Sequence, residues 1–489
     1  MSLRATTIRN LYYQGLLTAA AAVSAGFAVF VLARVLPPAE YGLASFAYLI
    51  TVTAEMVADF GIQAAVLSRR EEVPASVEAA ATLRVVLALG GTGALALLAL
   101  LAYGPLAAPN LAPFLLALSV VPLVSGLGFA SQVRLRLDLD FRRLSLAQAG
   151  GMVGSPAAQA ALALSGFGVW SIIWGAIIGH LLQFALLTAL RPAFFRPVFD
   201  RAAWRALVRF GSPVIGMGLV SSAFDLTAAA FVALFAGPIA LGAFLLGLRV
   251  AQLVPLRAMA IVNEVLLPTL SKIRLAGGDL AHPYLESIRA VVIPAAFANM
   301  AAVALAAPAV AFVGGERWES AAVCVQVMSL FCILQAATAP GTPFVQVQGA
   351  PGASLRQAAL CYALLWGLAL PVLVFGGLVA FLFALLAIMV VAWAYVGAIV
   401  GARGGPSLAQ AARAAAPGAL CCAAAGLATF ALVTAAPIEP LAALTVGAVV
   451  YAALALVLDA AAFGGVNLGR VRRFAAEALR PSPAAAADE

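Results

Sequence analysis

The sequence predicts an all-α polytopic membrane protein of about fourteen transmembrane helices, on three observations. The 489 residues are 64% hydrophobic and only 10% charged, against about 45–50% and roughly 25% in an ordinary soluble chain. Apolar runs of about 20 residues, enough to cross roughly 30 Å of hydrocarbon, recur from one end to the other. All but four of the 28 basic residues fall in alternate connections between those runs, the bias expected when positive charge stays on the cytoplasmic side.

The first six spans fall at about 12–33, 43–66, 85–103, 111–131, 146–165 and 169–190. The next six fall at about 213–235, 239–262, 290–312, 321–343, 358–376 and 378–400, and two more at about 416–435 and 440–458. The small-residue stretch Ala19 to Ala25 has the look of a signal-cleavage site. It reads as retained, because an intact first hairpin follows it. With the amino terminus cytoplasmic, Arg34 and Arg317 lie on the far side, and Arg249 and Arg257 lie within a span. One missed span would scramble this alternation, so the count is even and both termini face the cytoplasm. The tail carries Arg470, Arg472, Arg473 and Arg480 and ends in a Pro/Ala-rich segment that reads as disordered.

The chain also repeats itself at an offset of 200 residues. The first hairpin turns through Leu36-Pro-Pro-Ala-Glu-Tyr-Gly42, and the seventh and eighth spans turn through Ala236-Gly-Pro-Ile-Ala-Leu-Gly242. Both second helices then close on Leu-Ser-basic, at Leu67-Ser68-Arg69 and Leu270-Ser271-Lys272. Six spans separate the copies, so both have the same orientation, a parallel repeat about an axis normal to the membrane. The expected organisation is a six-helix lobe over 1–205 and a second over 206–405, related by a pseudo-twofold. Two additional helices over 406–460 and a basic tail over 461–489 complete it.

Several function classes are excluded. Two histidines and five scattered cysteines offer no metal site and no disulfide framework. No Gly-x-x-x-x-Gly-Lys precedes Lys272, and neither Gly-x-Ser-x-Gly nor Cys-x-x-Cys occurs. Asp138-Leu-Asp140 has the form of a metal–nucleotide-sugar motif, but it sits on a short basic loop with no nucleotide fold around it. The chain is therefore read as no enzyme, with no cofactor and no catalytic residue. The net charge of +8 is spent on orientation and on anionic lipid, through the loops 134–143 and 191–209, and implies no nucleic-acid partner.

Ionisable groups inside the membrane are rare and mark function by default. Here they are Glu55, Asp59, His180, Asp225, Arg249, Arg257 and Glu264. Arg249 lies twelve residues past Gly237, roughly 18 Å into the membrane. Asp225 lies twelve residues before the same turn, at nearly the same depth. Glu55 and Asp59 stand at i and i+4 on one helix face. Pro255, two residues before Arg257, is placed to kink or break its helix. His180 reads as a hydrogen-bonded residue at a helix interface, and Glu264 as a cap or a partner near Lys272.

The chain resembles the polysaccharide transporters, or Wzx-type oligosaccharide flippases, of the multidrug/oligosaccharidyl-lipid/polysaccharide exporter superfamily. The resemblance is carried by Ala33-Arg-Val-Leu-Pro-Pro-Ala-Glu-Tyr-Gly42, Asp59-Phe-Gly-Ile62 and Leu135-Arg-Leu-Asp-Leu-Asp-Phe-Arg-Arg-Leu144. Gly166-Phe-Gly-Val-Trp170, Phe210-Gly-Ser-Pro213, Glu264-Val-Leu-Leu-Pro268, Gly315-Glu-Arg-Trp318 and Gly349-Ala-Pro351 add to it, in order. It runs from about residue 5 to 355, and the last four spans match in hydropathy alone. Around Asp225 the chain departs from the family's polar cluster, since Phe224-Asp225-Leu226 keeps only the acid.

The resemblance implies movement of undecaprenyl-diphosphate-linked oligosaccharide from the cytoplasmic to the periplasmic leaflet of a bacterial inner membrane, by alternating access. It implies a lipid-linked substrate and membrane lipids as partners, with docking of a glycosyltransferase or polymerase admitted but argued for by no residue. On this reading Arg249 and Arg257 meet the lipid diphosphate, for which a guanidinium fork is suited. Equally, Asp225 and Arg249 neutralise each other, and Arg257 snorkels to the interface. Glu55 and Asp59 are candidates for a coupling proton or sodium ion, or form a merely wetted wall. Two other readings stay open: a drug or metabolite antiporter of the same superfamily, and a membrane polysaccharide polymerase or ligase. External connections of about ten residues argue against the last.

Overall fold

The computed structural model describes residues 3–68, 73–104, 108–138, 140–192, 197–350, 352–435 and 439–463. Among these residues the secondary structure is helical, without strands. Nine stretches of the described residues are long and apolar enough to cross a membrane, and four of them, Ala112–Leu137, Ser222–Gln252, Ala281–Val347 and Gly352–Ala402, contain more than one helix. The chain is a multi-pass membrane protein. Arg69, Arg70, Arg196 and the basic tail beyond residue 463 lie outside the described residues.

The chain divides into two compact units, the first ending at Thr227 and the second beginning at Ala228. In the first, α1 (Leu3–Val35) turns through Pro37 into α2 (Pro38–Asp59), whose Pro38 occupies the first turn, where no amide hydrogen is needed. A short α3 (Ile62–Ser68) follows a break at Phe60–Gly61. Next come α4 (Val73–Tyr103), α5 (Ala112–Leu118) and α6 (Val120–Leu137). Then α7 (Phe141–Ala149) passes through a π-helical turn at Gly150–Gly154 into α8 (Ser155–Leu164). Ser24 of α1 donates to the carbonyl of Val153 in that turn at 3.0 Å, satisfying a group that the irregular ladder leaves open. The unit closes with α9 (Trp170–Leu190) and most of α10 (Arg201–Phe231).

Two helices start well before their apolar runs. Hydropathy places the start of the third span at residue 85, but α4 begins at Val73. It likewise places the seventh span at 213, but α10 begins at Arg201. The polar first turns of α10 are held against α4. Trp204 Nε1 donates to the Ala79 carbonyl at 2.9 Å, the Val198 amide donates to Thr82 Oγ1 at 2.9 Å, and Leu207 enters the core of Ile62, Val66, Leu83 and Phe129.

The second unit begins within α10. After a π-helical turn at Val232–Ala236, α11 (Gly237–Gln252) is broken at Leu253–Val254 from α12 (Pro255–Leu275). Pro255 opens α12, so the break falls where its missing amide hydrogen costs nothing. Long α13 (Ala281–Gly314), α14 (Glu319–Thr338) and short α15 (Gly341–Val347) follow. Then α16 (Gly352–Leu364) passes through a π-helical turn into α17 (Leu370–Ala402). A kink at Gly377, φ 75 and ψ −172, divides α17 and separates the spans read at 358–376 and 378–400. Two further helices, α18 (Leu408–Ala435) and α19 (Pro440–Phe463), pack on each other and on α13 through Met300, Cys422, Ala425 and Tyr451.

Helices pack closely through small residues, as expected where lipid gives no hydrophobic drive between them. A Cβ added to Gly175 of α9 would stand 2.4 Å from Gln159 Cγ of α8, and one added to Gly179 would stand 2.3 Å from Ser155 Cβ. Gly179→Val should therefore force α8 and α9 apart and lower stability by about 1–3 kcal/mol, read as a lower thermal midpoint in detergent. Gly90→Ala, with nothing within 4 Å of the new methyl, should leave the midpoint unchanged or slightly raised.

Candidate functional site

The break after α2 sets the geometry of the charges in the first unit. Phe60 has φ 45, the left-handed region, and is the non-glycine residue with positive φ among those described. Gly61 follows at φ 66. Such a conformation is uncommon for a bulky side chain, and it is held by packing of Phe60 against the core of α3, α4 and α6. Breaking α2 here leaves its negative dipole end beside Asp59, an unfavourable place for a carboxylate. Arg84 of α4 answers it, with Nε 3.6 Å from Asp59 Oδ1. The Arg84 side chain is 5% exposed and that of Asp59 40%. Arg84 Nη1 has no hydrogen-bond partner among the described residues.

One turn earlier, Glu55 meets His180 of α9, with Oε2 and Nε2 3.5 Å apart and the side chains 16% and 19% exposed. The other ring nitrogen, Nδ1, lies 2.8 Å from the Ala176 carbonyl, one turn back on α9. A carbonyl only accepts, so Nδ1 carries the hydrogen. The column of pairs continues toward the basic ends of the helices: Arg134 with Glu78 at 3.1 Å, Arg191 with Asp138 at 3.1 Å, and Arg143 with Asp140 at 3.4 Å. Asp140 also accepts from the Arg143 amide and caps α7. Both acids of the Asp138-Leu-Asp140 motif are thus taken up by structure.

In the second unit the break carries cations instead. Arg249 stands in the last turn of α11, where the dipole favours a positive charge, and is half-buried. Arg257 stands in the first turn of α12, also half-buried; its backbone amide donates to the Val254 carbonyl at 3.1 Å, and its side chain has no hydrogen bond or ion pair to a described residue. Further along, Arg274 donates to the Val347 carbonyl and to Gln348 Oε1, binding the basic ends of α12 and α15 together.

The structure treats the residues singled out in the sequence unequally. Glu55 and Asp59 share a face of α2, and each lies beside a different partner, Glu55 beside His180 and Asp59 beside Arg84. Asp225 lies on α10 in the first unit, half-buried, and its side chain has no hydrogen bond or ion pair to a described residue of that unit. Arg249 and Arg257 belong to the second unit. The side chain of Glu264 is outside the described residues. His180 is at a helix interface as read, but its partner Glu55 was not legible. Arg84, counted among the loop charges, is instead 4% exposed inside α4. Its signal was available: Ala79-Ala-Ala-Thr-Leu precedes it and Val85-Val-Leu-Ala-Leu follows, an arginine flanked on both sides by an apolar run.

Residues 31–323 match the family described as polysaccharide biosynthesis protein. Among curated proteins, the chain is 24% identical over 351 residues to the lipopolysaccharide biosynthesis protein WzxC of Escherichia coli (strain K12), covering 70% of each chain. Among solved structures it is similar to lipid II flippase MurJ in an inward closed conformation, with TM-score 0.71 and 12% identity, over 93% of this chain and 99% of that one. It is also similar to an inward-facing multidrug resistance transporter of the MATE family in the MOP superfamily, with TM-score 0.60 and 14% identity, over 78% and 95%. At these identities the structures establish the fold.

The Asp59–Arg84 pair should respond asymmetrically to truncation. Arg84→Ala leaves a carboxylate that is 40% exposed and finds water, whereas Asp59→Ala strands a guanidinium that is 5% exposed. Asp59→Ala should cost more, about 3 kcal/mol, and the double variant less than Asp59→Ala alone. Thermal unfolding of the three variants in detergent measures this.

Proposed function

The chain belongs to the polysaccharide biosynthesis protein family, and we propose that it flips undecaprenyl-diphosphate-linked oligosaccharide from the cytoplasmic to the periplasmic leaflet of a bacterial inner membrane. The observation that carries this reading is the pair of half-buried arginines at a helix break in the second unit. A membrane segment keeps a cation at such depth for a partner or an anionic ligand, and Arg257 has none among the described residues. A guanidinium presents five donors in a fixed fork that suits a diphosphate. The family match and the fold shared with a lipid II flippase support a lipid-linked substrate.

In this proposal the amino and carboxyl termini are cytoplasmic, and two six-helix lobes over 1–205 and 206–405 alternate access to the substrate. The helices over 406–460 are an addition to that core. Arg257, nearer the cytoplasmic end of its span, receives the diphosphate, and Arg249 meets it deeper. The substrate crosses without covalent change, so the chain acts as a carrier and not as an enzyme. Coupling falls to α2, to the face that carries Glu55 and Asp59. A drug or metabolite antiporter is the rival reading, supported by the fold shared with the MATE transporter.

Deleting the gene should strand oligosaccharide-diphospholipid on the cytoplasmic leaflet and abolish surface polysaccharide. Arg257→Ala or Arg249→Ala should restore export no more than about a tenth as well as the unaltered chain at matched protein level, the loss of a charge-assisted contact of roughly 1.5–3 kcal/mol. Full export by both variants would remove the arginines from the mechanism. Intact polysaccharide in the deletion, with a gain in drug sensitivity, would favour the antiporter.

A further inference from the structure

We propose that Glu55 and His180 form a site for one exchangeable proton, and that its occupancy decides whether α2 stays packed on α9. The inference deepens the coupling role given to α2, but it is tested without substrate, so it and the flippase reading fail on different readouts.

The geometry carries it. The Ala176 carbonyl fixes a hydrogen on His180 Nδ1, so Nε2 faces Glu55 Oε2 either as a donor or as a bare lone pair. With one proton on the pair, the contact is imidazolium against carboxylate, or carboxylic acid donating to imidazole. Either form is attractive and neutral overall. When that proton leaves to water, breaking the N–H or O–H bond, a lone pair faces a carboxylate across 3.5 Å with no hydrogen between them. The two side chains are only 16% and 19% exposed, so little screens that repulsion. Separating α2 from α9 relieves it.

Several of the charged groups packed around the pair are engaged elsewhere, while Glu40 lies in the first turn of α2. On α2 itself Asp59 is committed to Arg84 of α4, which also acts electrostatically on Glu55. Arg136 of α6 acts on Asp59, while Arg134 of α6 is taken by Glu78 of α4. On α7, Arg143 is paired with Asp140 beside Arg142. Arg34 of α1 lies at that helix's far end. The elements α5 and α8 and the π-helical turn bring no ionisable side chain. Asp225 of α10 is the remaining acid of the unit's later helices, and Ser222 one turn before it donates to Met56 Sδ of α2 at 3.2 Å. The α2 segment that would move ends at the Phe60–Gly61 break, so its displacement need not drag α3 with it.

The test uses the purified full-length chain in lipid nanodiscs. Infrared difference spectra across a pH titration should show a carboxyl band that Glu55→Gln removes. Deuterium exchange over residues 50–62, corrected for the intrinsic pH dependence, should rise several-fold on deprotonation. In His180→Gln and Glu55→Gln an amide donates across the contact at every pH, so both variants should fold and lose that pH dependence. Unaltered pH-dependent exchange in either variant, or none in the parent chain, overturns the proposal. So does reversal of the exchange change by sodium ions at constant pH, which would make the site a metal-ion site.

Discussion

A charge inside hydrocarbon must be matched or watered, and in the first unit of this protein most of the architecture follows from matching it. Arg84 sits inside α4, immediately before the apolar run that begins at Val85, and Asp59 comes to it from α2. Asp59 in turn is placed by the left-handed Phe60, which ends the helix at the one residue where the carboxylate can meet that arginine. Glu55 and His180, Glu78 and Arg134, and Asp138 and Arg191 extend the same logic along α2, α4, α6 and α9. Because desolvation offsets much of the attraction in such pairs, they hold register and partner choice more than they add stability.

The second unit has a helix interruption of its own, between α11 and α12, and the opposite charge stands at it. Acids crowd the end of α2, whereas arginines flank the gap between α11 and α12. The helix dipole accounts for part of this difference. An arginine in the last turn of α11 is stabilised where it stands, so Arg249 requires less of its neighbours than Asp59 does. Arg257, in the first turn of the next helix, stands at the positive end of its dipole and has no such help.

Close helix contact makes these arrangements rigid enough to matter. Where α8 meets α9, Gly175 and Gly179 leave no room for even a methyl group, so the helix bearing His180 is fixed on one side. Any adjustment at the Glu55–His180 contact then falls to α2, which already has a break one turn away. Packing and electrostatics thus assign the moving part between them.

Much of this was legible in the residues themselves. The excess of apolar residues, the spans, the repeated Pro-x-x-x-Gly turns and the break before Pro255 depend on composition and on local backbone chemistry, which a sequence carries directly. The family was legible too, in the short segments running from Ala33 to Pro351. The partners of the buried charges were not, because Arg84 and Asp59 lie 25 positions apart and Glu55 and His180 lie 125 apart. Hydropathy cut α4 short at Arg84, treating a paired arginine as a loop residue, and spacing alone made Glu55 and Asp59 a carboxylate pair. Sequence by itself determined that the chain lives in a bilayer, and roughly where each helix turns. Tertiary structure decided which charges neutralise which, since that depends on distances between helices that no local pattern encodes.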